Sequence, residues 1–187
     1  EGYKAPVWGT IYSGDNPPVC GMPLGGIGTG CLDIEADGRL GYCTIFSRVW
    51  GFGDGDSGST MYRDRIVDSN GKVVDINDPS RGKMNVPIMT MSVGRDTWVL
   101  ATSQQMNPST KKAKKLDYWG HYPVVDMEYT LDAPVGVAVR AWSPFVPGDV
   151  IRSNTPGAFF EVHLRNLTFS PKSGSFVMSF PGPRKRE

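Results

Sequence analysis

Short alternating apolar stretches, cut by turn-forming residues, constrain this chain more than any other feature. Asp37-Gly38, Ser69-Asn70-Gly71 and Gly94-Arg95 each lie between runs in which apolar and polar residues alternate. That is the period of half-buried strands joined by hairpins. Residues 29–34 and 39–46 predict a first hairpin, 62–67 and 72–76 a second, and 86–93 and 96–101 a third. In 39–46, Leu40, Tyr42, Thr44 and Phe46 alternate against Arg39, Cys43 and Ile45. Residues 122–131, 135–143 and 158–167 are the strongest further strands, and 175–180 a short last one. No segment carries a 3.6-residue period over three turns. The expectation is an all-β fold, an antiparallel β-sandwich or barrel. The 23 Gly and 15 Pro, scattered between the apolar stretches, agree with many turns rather than disorder.

Just ahead of the first hairpin stands Gly21-Met22-Pro23-Leu24-Gly25-Gly26-Ile27-Gly28-Thr29-Gly30, in which five of ten residues are glycine. Gly26-x-Gly28-x-Gly30 has the outline of a dinucleotide fingerprint, but that chemistry needs a strand before the glycines and a helix after them. Here Pro17-Pro18 precede and a hairpin turning at Asp37-Gly38, expected as type I′, follows. Nucleotide binding is excluded on that ground, and no cofactor is expected. Two readings stay open: a structural turn, or a loop bordering a ligand or a partner domain through Gly25, Gly26, Gly28, Thr29 and Gly30.

The length of 187 residues suits a single β-sandwich module over 1–187. Residues 1–18 read as an irregular arm laid across it. Residues 102–118, with Lys111, Lys112, Lys114 and Lys115, read as a polar loop. A net charge of +1 offers nucleic acid no attracting field, and the lysines lack interleaved aromatics. No apolar run approaches the ~20 residues of a membrane span. Cys20, Cys31 and Cys43 form no C-x-x-C pair. They read as buried thiols, with one Cys20–Cys31 or Cys31–Cys43 bridge as the alternative.

Candidate chemistry is sparse. Asp54-Gly55-Asp56-Ser57 fails the calcium-loop template, because Ser59 stands where glycine is needed and no Glu closes the loop. His121 and His163 lie far apart without ligand-spaced partners, so no metal is expected. Asp126 and Glu128 share one face of a predicted strand. Paired carboxylates serve glycoside hydrolysis, but this pair reads as the solvent face of a sandwich. Asn166-Leu167-Thr168 fits the glycosylation sequon at a strand end. In Ala141-Trp142-Ser143-Pro144-Phe145-Val146-Pro147-Gly148-Asp149 a strand ends at Ser143 and two prolines stiffen an aromatic corner. Such a corner packs inward or lines a sugar site, and Trp50, Phe52, Trp142 and Phe145 are the candidate stacking residues.

Together, the glycine stretch and the 141–149 corner resemble two blocks of the N-terminal domain of glycoside hydrolase family 116. That is the family of non-lysosomal glucosylceramidase and bacterial β-glucosidases. Ala158-Phe159-Phe160-Glu161-Val162-His163-Leu164-Arg165-Asn166-Leu167-Thr168 resembles the strand that follows. Order and spacing agree over residues 19–168, loosely over 51–116. The resemblance implies a β-sandwich packed on an (α/α)6 catalytic domain that acts on a carbohydrate or glycolipid substrate by retaining hydrolysis. It also implies that the catalytic carboxylates belong to that helical domain, so no catalytic residue falls on this chain. The family's domain is longer, and a sandwich cut short leaves an open edge, so self-association of the isolated chain is expected. The rival readings are a free-standing carbohydrate-binding or adhesion module and a purely structural one.

Overall fold

The computed structural model describes residues 2–13, 15–16, 18, 21–43, 89–102 and 110–180. Among these residues eleven strands and one helical turn make up the regular structure. Strands β1 (Met22–Leu24), β2 (Leu32–Ile34) and β3 (Leu40–Cys43) form a small sheet in that order. The first four-stranded sheet has the order β10 (Phe159–Asn166), β9 (Val135–Trp142), β8 (Val124–Thr130), β7 (Lys115–His121), all antiparallel. The second has the order β11 (Gly174–Met178), β4 (Met89–Val93), β5 (Asp96–Val99), β6 (Thr110–Lys112). Helix α1 (Val150–Ser153) is a single turn.

Period-two alternation explains how the sheets close on one core. In β8, Val125, Met127 and Tyr129 point inward while Asp126 and Glu128 point out. Opposite them Met89, Met91 and Trp98 face in from the second sheet, and Leu24, Ile34 and Leu40 join from the small one. Each such side chain contributes about 1.5–3 kcal/mol on burial. The result is the all-β sandwich that the alternation predicts.

Two hairpins can be compared turn by turn. Gly94-Arg95 is a two-residue loop, since Val93 pairs with Asp96 and Gly94 takes φ +63°. The first hairpin differs. Glu35 N donates to Arg39 O and Gly38 N to Glu35 O, with Gly38 at φ +86°. That is a three-residue loop over 36–38 closed by a glycine bulge, not a type I′ turn. The arms 62–67 and 72–76 lie outside the described residues.

The polar loop expected over 102–118 is corrected from residue 110 onward. β6 and β7 occupy that span, with Ala113 and Leu116 buried. Lys111, Lys112 and Lys115 stand on strands, and Lys114 on the bend between them. Lys111 extends its stem across Trp98, its Nζ 5.1 Å from the ring centroid and 3.0 Å from Asp96 Oδ1. β6 also pairs with β5 in parallel, Thr97 opposite Thr110, the one departure from antiparallel order among the described strands.

The N-terminal arm corrects the reading of Asp126 and Glu128. Gly2 N and Tyr3 N donate to Glu128 Oε1 at 2.8 and 3.2 Å. The Tyr3 hydroxyl lies 2.8 Å from Val139 O and 3.0 Å from Asp126 Oδ1. Burial, then the Asp126 charge, pushes the Tyr3 phenol up, so it stays a donor. Arg140, directly across from Asp126, donates through Nε at 2.7 Å and Nη2 at 3.1 Å. Asp126 is 0 % exposed, so this face is covered rather than open to solvent. Gly2 permits the close approach, because a Cβ there would sit 2.4 Å from Ala138 N. Gly2→Val is therefore expected to lift the arm and cost about 1–2 kcal/mol. Faster proteolysis ahead of Tyr12, with the sheet otherwise intact, would report it; an unchanged cleavage rate would contradict it.

Candidate functional site

Leu24 is buried at the end of β1, and the chain then doubles back over residues 25–30. Gly25 takes φ +154°, and a Cβ on it would lie 2.2 Å from Gly30 O. The two sides of the loop therefore touch backbone to backbone, which only glycine allows. At its tip Thr29 N and Thr29 Oγ1 both donate to Gly26 O at 3.1 Å.

Two hydrogen bonds hold this loop to the 141–155 corner. Gly25 N donates to Ser143 Oγ at 2.6 Å, and Ser143 is buried. Ile27 N donates to Ser153 O at 2.9 Å. Ser153 Oγ in turn donates to Val146 O and accepts from Val146 N, both at 3.0 Å. Gly26 is pressed so closely on the end of α1 that its Cβ would meet Asn154 C and Thr155 O at 2.7 Å. The helical turn is itself capped, since Asp149 accepts from Arg152 N at 2.9 Å.

Far from the two stretches in sequence, Tyr118 anchors the base of the loop. Met22 N donates to its hydroxyl, which donates to Ile34 O, each at 2.8 Å. That one buried phenol ties β1 and β2 to β7.

The two stretches singled out in the sequence, 21–30 and 141–149, thus pack against each other. Around them stand exposed apolar side chains: Ile27, Tyr122, Phe145, Val146, Val150 and Ile151, the last two 70 % and 88 % exposed. Gly28 and Thr29 are exposed at the loop tip, Gly30 half-buried, and Gly26 buried against α1. The aromatic candidates split into two pairs. Phe145 meets Tyr122 edge-on at 5.4 Å, while Trp142 stacks on Phe159 across the β9–β10 pairing at 5.7 Å and 18°. Trp50 and Phe52 lie outside the described residues. Cys31 is half-buried, not buried, with Sγ 4.0 Å from Asp33 Oδ1, and Cys20 is outside the described residues.

Sequence reasoning missed α1 and with it Ser153, the residue that joins the loop to the corner. One signal for it was present: Asp149 directly before Val150-Ile151-Arg152 is an N-cap pattern. A single turn has no period to detect, so only the cap marked it.

Among the described residues, no helix is long and apolar enough to cross a membrane. No curated protein matches the sequence. Residues 21–183 match the family described as beta-glucosidase 2, glycosyl-hydrolase family 116 N-term. The match opens at Gly21, where the glycine stretch begins, and runs past the corner that the stretch packs against, so this chain belongs to the N-terminal domains of glycosyl-hydrolase family 116.

Proposed function

We propose that this chain is the non-catalytic N-terminal β-sandwich domain of a β-glucosidase- or glucosylceramidase-like glycoside hydrolase, and that its glycine-loop end docks the enzyme's (α/α)6 catalytic domain. Membership of the family implies a catalytic domain as partner. The observation that carries the docking face is the seating of residues 25–29 on Ser143, Ser153 and Asn154 beneath an exposed apolar rim. A stiff end with Val150 and Ile151 turned to solvent suits burial against a second surface. The loop tip, Gly28 and Thr29, would stand beside the sugar site, and hydrolysis of β-glucosides or glucosylceramide-like lipids would belong to the partner. Trp142 already gives one ring face to Phe159, which favours docking over an open sugar platform.

The test pairs this chain with the catalytic domain of its own enzyme, supplied as a separate polypeptide. Val150→Asp with Ile151→Asp is expected to weaken their association at least thirty-fold, about 2 kcal/mol. Both side chains are exposed, so the melting of the variant alone should stay within about 0.5 kcal/mol of the parent. Undiminished association removes this docking face. Robust turnover of an aryl β-glucoside by the 187 residues alone removes the non-catalytic reading.

A further inference from the structure

Among the described strands the two larger sheets have four outer edges, and two of them carry some guard against pairing. β7 is bridged by Tyr12, which exchanges both backbone bonds with Tyr118 at 2.8 and 3.0 Å. β6 has three residues, two of them lysine; β11 has no such device but only five residues. β10 differs: it is eight residues long, holds no Pro or Lys, and pairs with β9 in unbroken register from Phe159↔Trp142 to Asn166↔Val135. A long regular edge of that kind is a ready template for another strand.

The hydrogen-bond phase shows which groups the edge offers. Leu167 N donates to Pro134 O, one step beyond the Asn166↔Val135 pair. Bonds therefore run to β9 from the odd-numbered residues of β10, and the N–H and C=O groups of Phe160, Val162 and Leu164 point away from the sheet. Their side chains lie opposite Ala141, Val139 and Val137, all in the core. Leu164 is nevertheless 53 % exposed, so the core-facing row is left uncovered at this edge.

We infer that the occupant of this edge is the β10 strand of a second copy of the chain, antiparallel about a two-fold axis through Val162. The reason is self-complementarity. A two-fold axis that keeps both core-facing rows on one side must pass through a residue pair, because a one-residue slip turns every side chain to the other face. Centred on Val162, the pairing sets Val162 against Val162 and Phe160 against Leu164, and uses all the outward backbone groups of these residues in about six hydrogen bonds. On the other face Glu161 stands opposite His163 and diagonal to Arg165, and Phe159 stands opposite Arg165. The other diagonal brings Glu161 towards its own copy, the one like-charge approach of the pairing, and Arg165 flanks it. The two four-stranded sheets become one of eight strands, and the two copies of Leu164 are covered.

Sedimentation of the 187-residue chain between about 1 and 200 µM reads the association directly. The expected result is a monomer–dimer equilibrium within that range. Val162→Pro deletes an N–H that points away from β9, so the fold is kept while the dimer weakens at least tenfold. Leu164→Lys, which puts a charge on the inward row of an edge strand, is expected to do the same and stands in if the proline variant does not fold. A parent chain that stays monomeric to about 200 µM overturns the inference and assigns the edge to a strand from elsewhere in a longer polypeptide. A dimer of unchanged affinity in the folded variants overturns it too. Val150→Asp with Ile151→Asp should leave the dimer intact, which separates this result from the fate of the docking face.

Discussion

Gly25→Ala is expected to lower the free energy of unfolding by about 3 kcal/mol, read as a fall in the urea midpoint at constant slope. Two terms add. At φ +154° an L side chain is strained by about 1–3 kcal/mol whatever the space around it. The new Cβ would also lie 2.2 Å from Gly30 O and 2.9 Å from Cys31 Cα, both backbone atoms that cannot swing aside. The loop has to open, and opening it draws Gly25 N away from Ser143 Oγ, a bond of 2.6 Å to a buried hydroxyl. Two further glycines calibrate the terms. Gly94→Ala keeps the dihedral strain, at φ +63°, with no atom within 4 Å, and is expected to cost about 1 kcal/mol. Gly157→Ala carries neither burden and should stay within about 0.5 kcal/mol of the parent. If all three variants melt alike, the close contact across residues 25–30 does not hold the loop.

The second large effect sits under the N-terminal arm, and its asymmetry is the prediction. Asp126 is wholly buried, while the Arg140 side chain is 44 % exposed. Arg140→Met strands a carboxylate that keeps only Tyr3, at 3.0 Å, and His121, at 3.5 Å, and is expected to cost about 3 kcal/mol. Asp126→Asn keeps the shape and frees a guanidinium that can turn to water, so about 1–2 kcal/mol is expected. Asp126→Leu with Arg140→Met should recover most of the loss, because a buried pair replaced by apolar groups is often close to neutral. Chemical denaturation of the three variants gives the order. Should Asp126→Asn prove the more costly single change, desolvation of the carboxylate is not the controlling term.

Local structure was legible in the sequence where turn residues and flanking alternation agree, and less so at the Asp37-Gly38 turn, whose bulge they do not mark. Gly94-Arg95 closed a two-residue hairpin because turn residues and flanking alternation agree there. Residues 135–143 and 158–167 became β9 and β10 within a residue or so, each a long run with an apolar face. The start of β7 was lost behind the lysines of 111–115, although Leu116 and Tyr118 alternate with Lys115 and Asp117. A polar outer row hid the buried inner one. Asp126 was misplaced for a different reason: its cover, Tyr3, comes from 123 residues away, and strand periodicity says nothing about what lies over a face. At the candidate site the residue types were legible in both stretches. Their meeting was not, because it runs through the Ser143 hydroxyl and the Ser153 carbonyl, groups that carry no pattern of their own.

The same Tyr3 contact has a bearing on how the chain is made. Gly2 and Tyr3 are bonded to residues 123 to 136 positions later. At a synthesis rate of about 5–20 residues per second, roughly 6–25 s separate the arm's emergence from that of its acceptors. Through that interval the segment that finally covers Asp126 has nothing to bind. The arm leaves the ribosome ahead of its acceptors and binds only after them, so β8 and β9 must pair first and leave Glu128 and Val139 waiting on their outer surface.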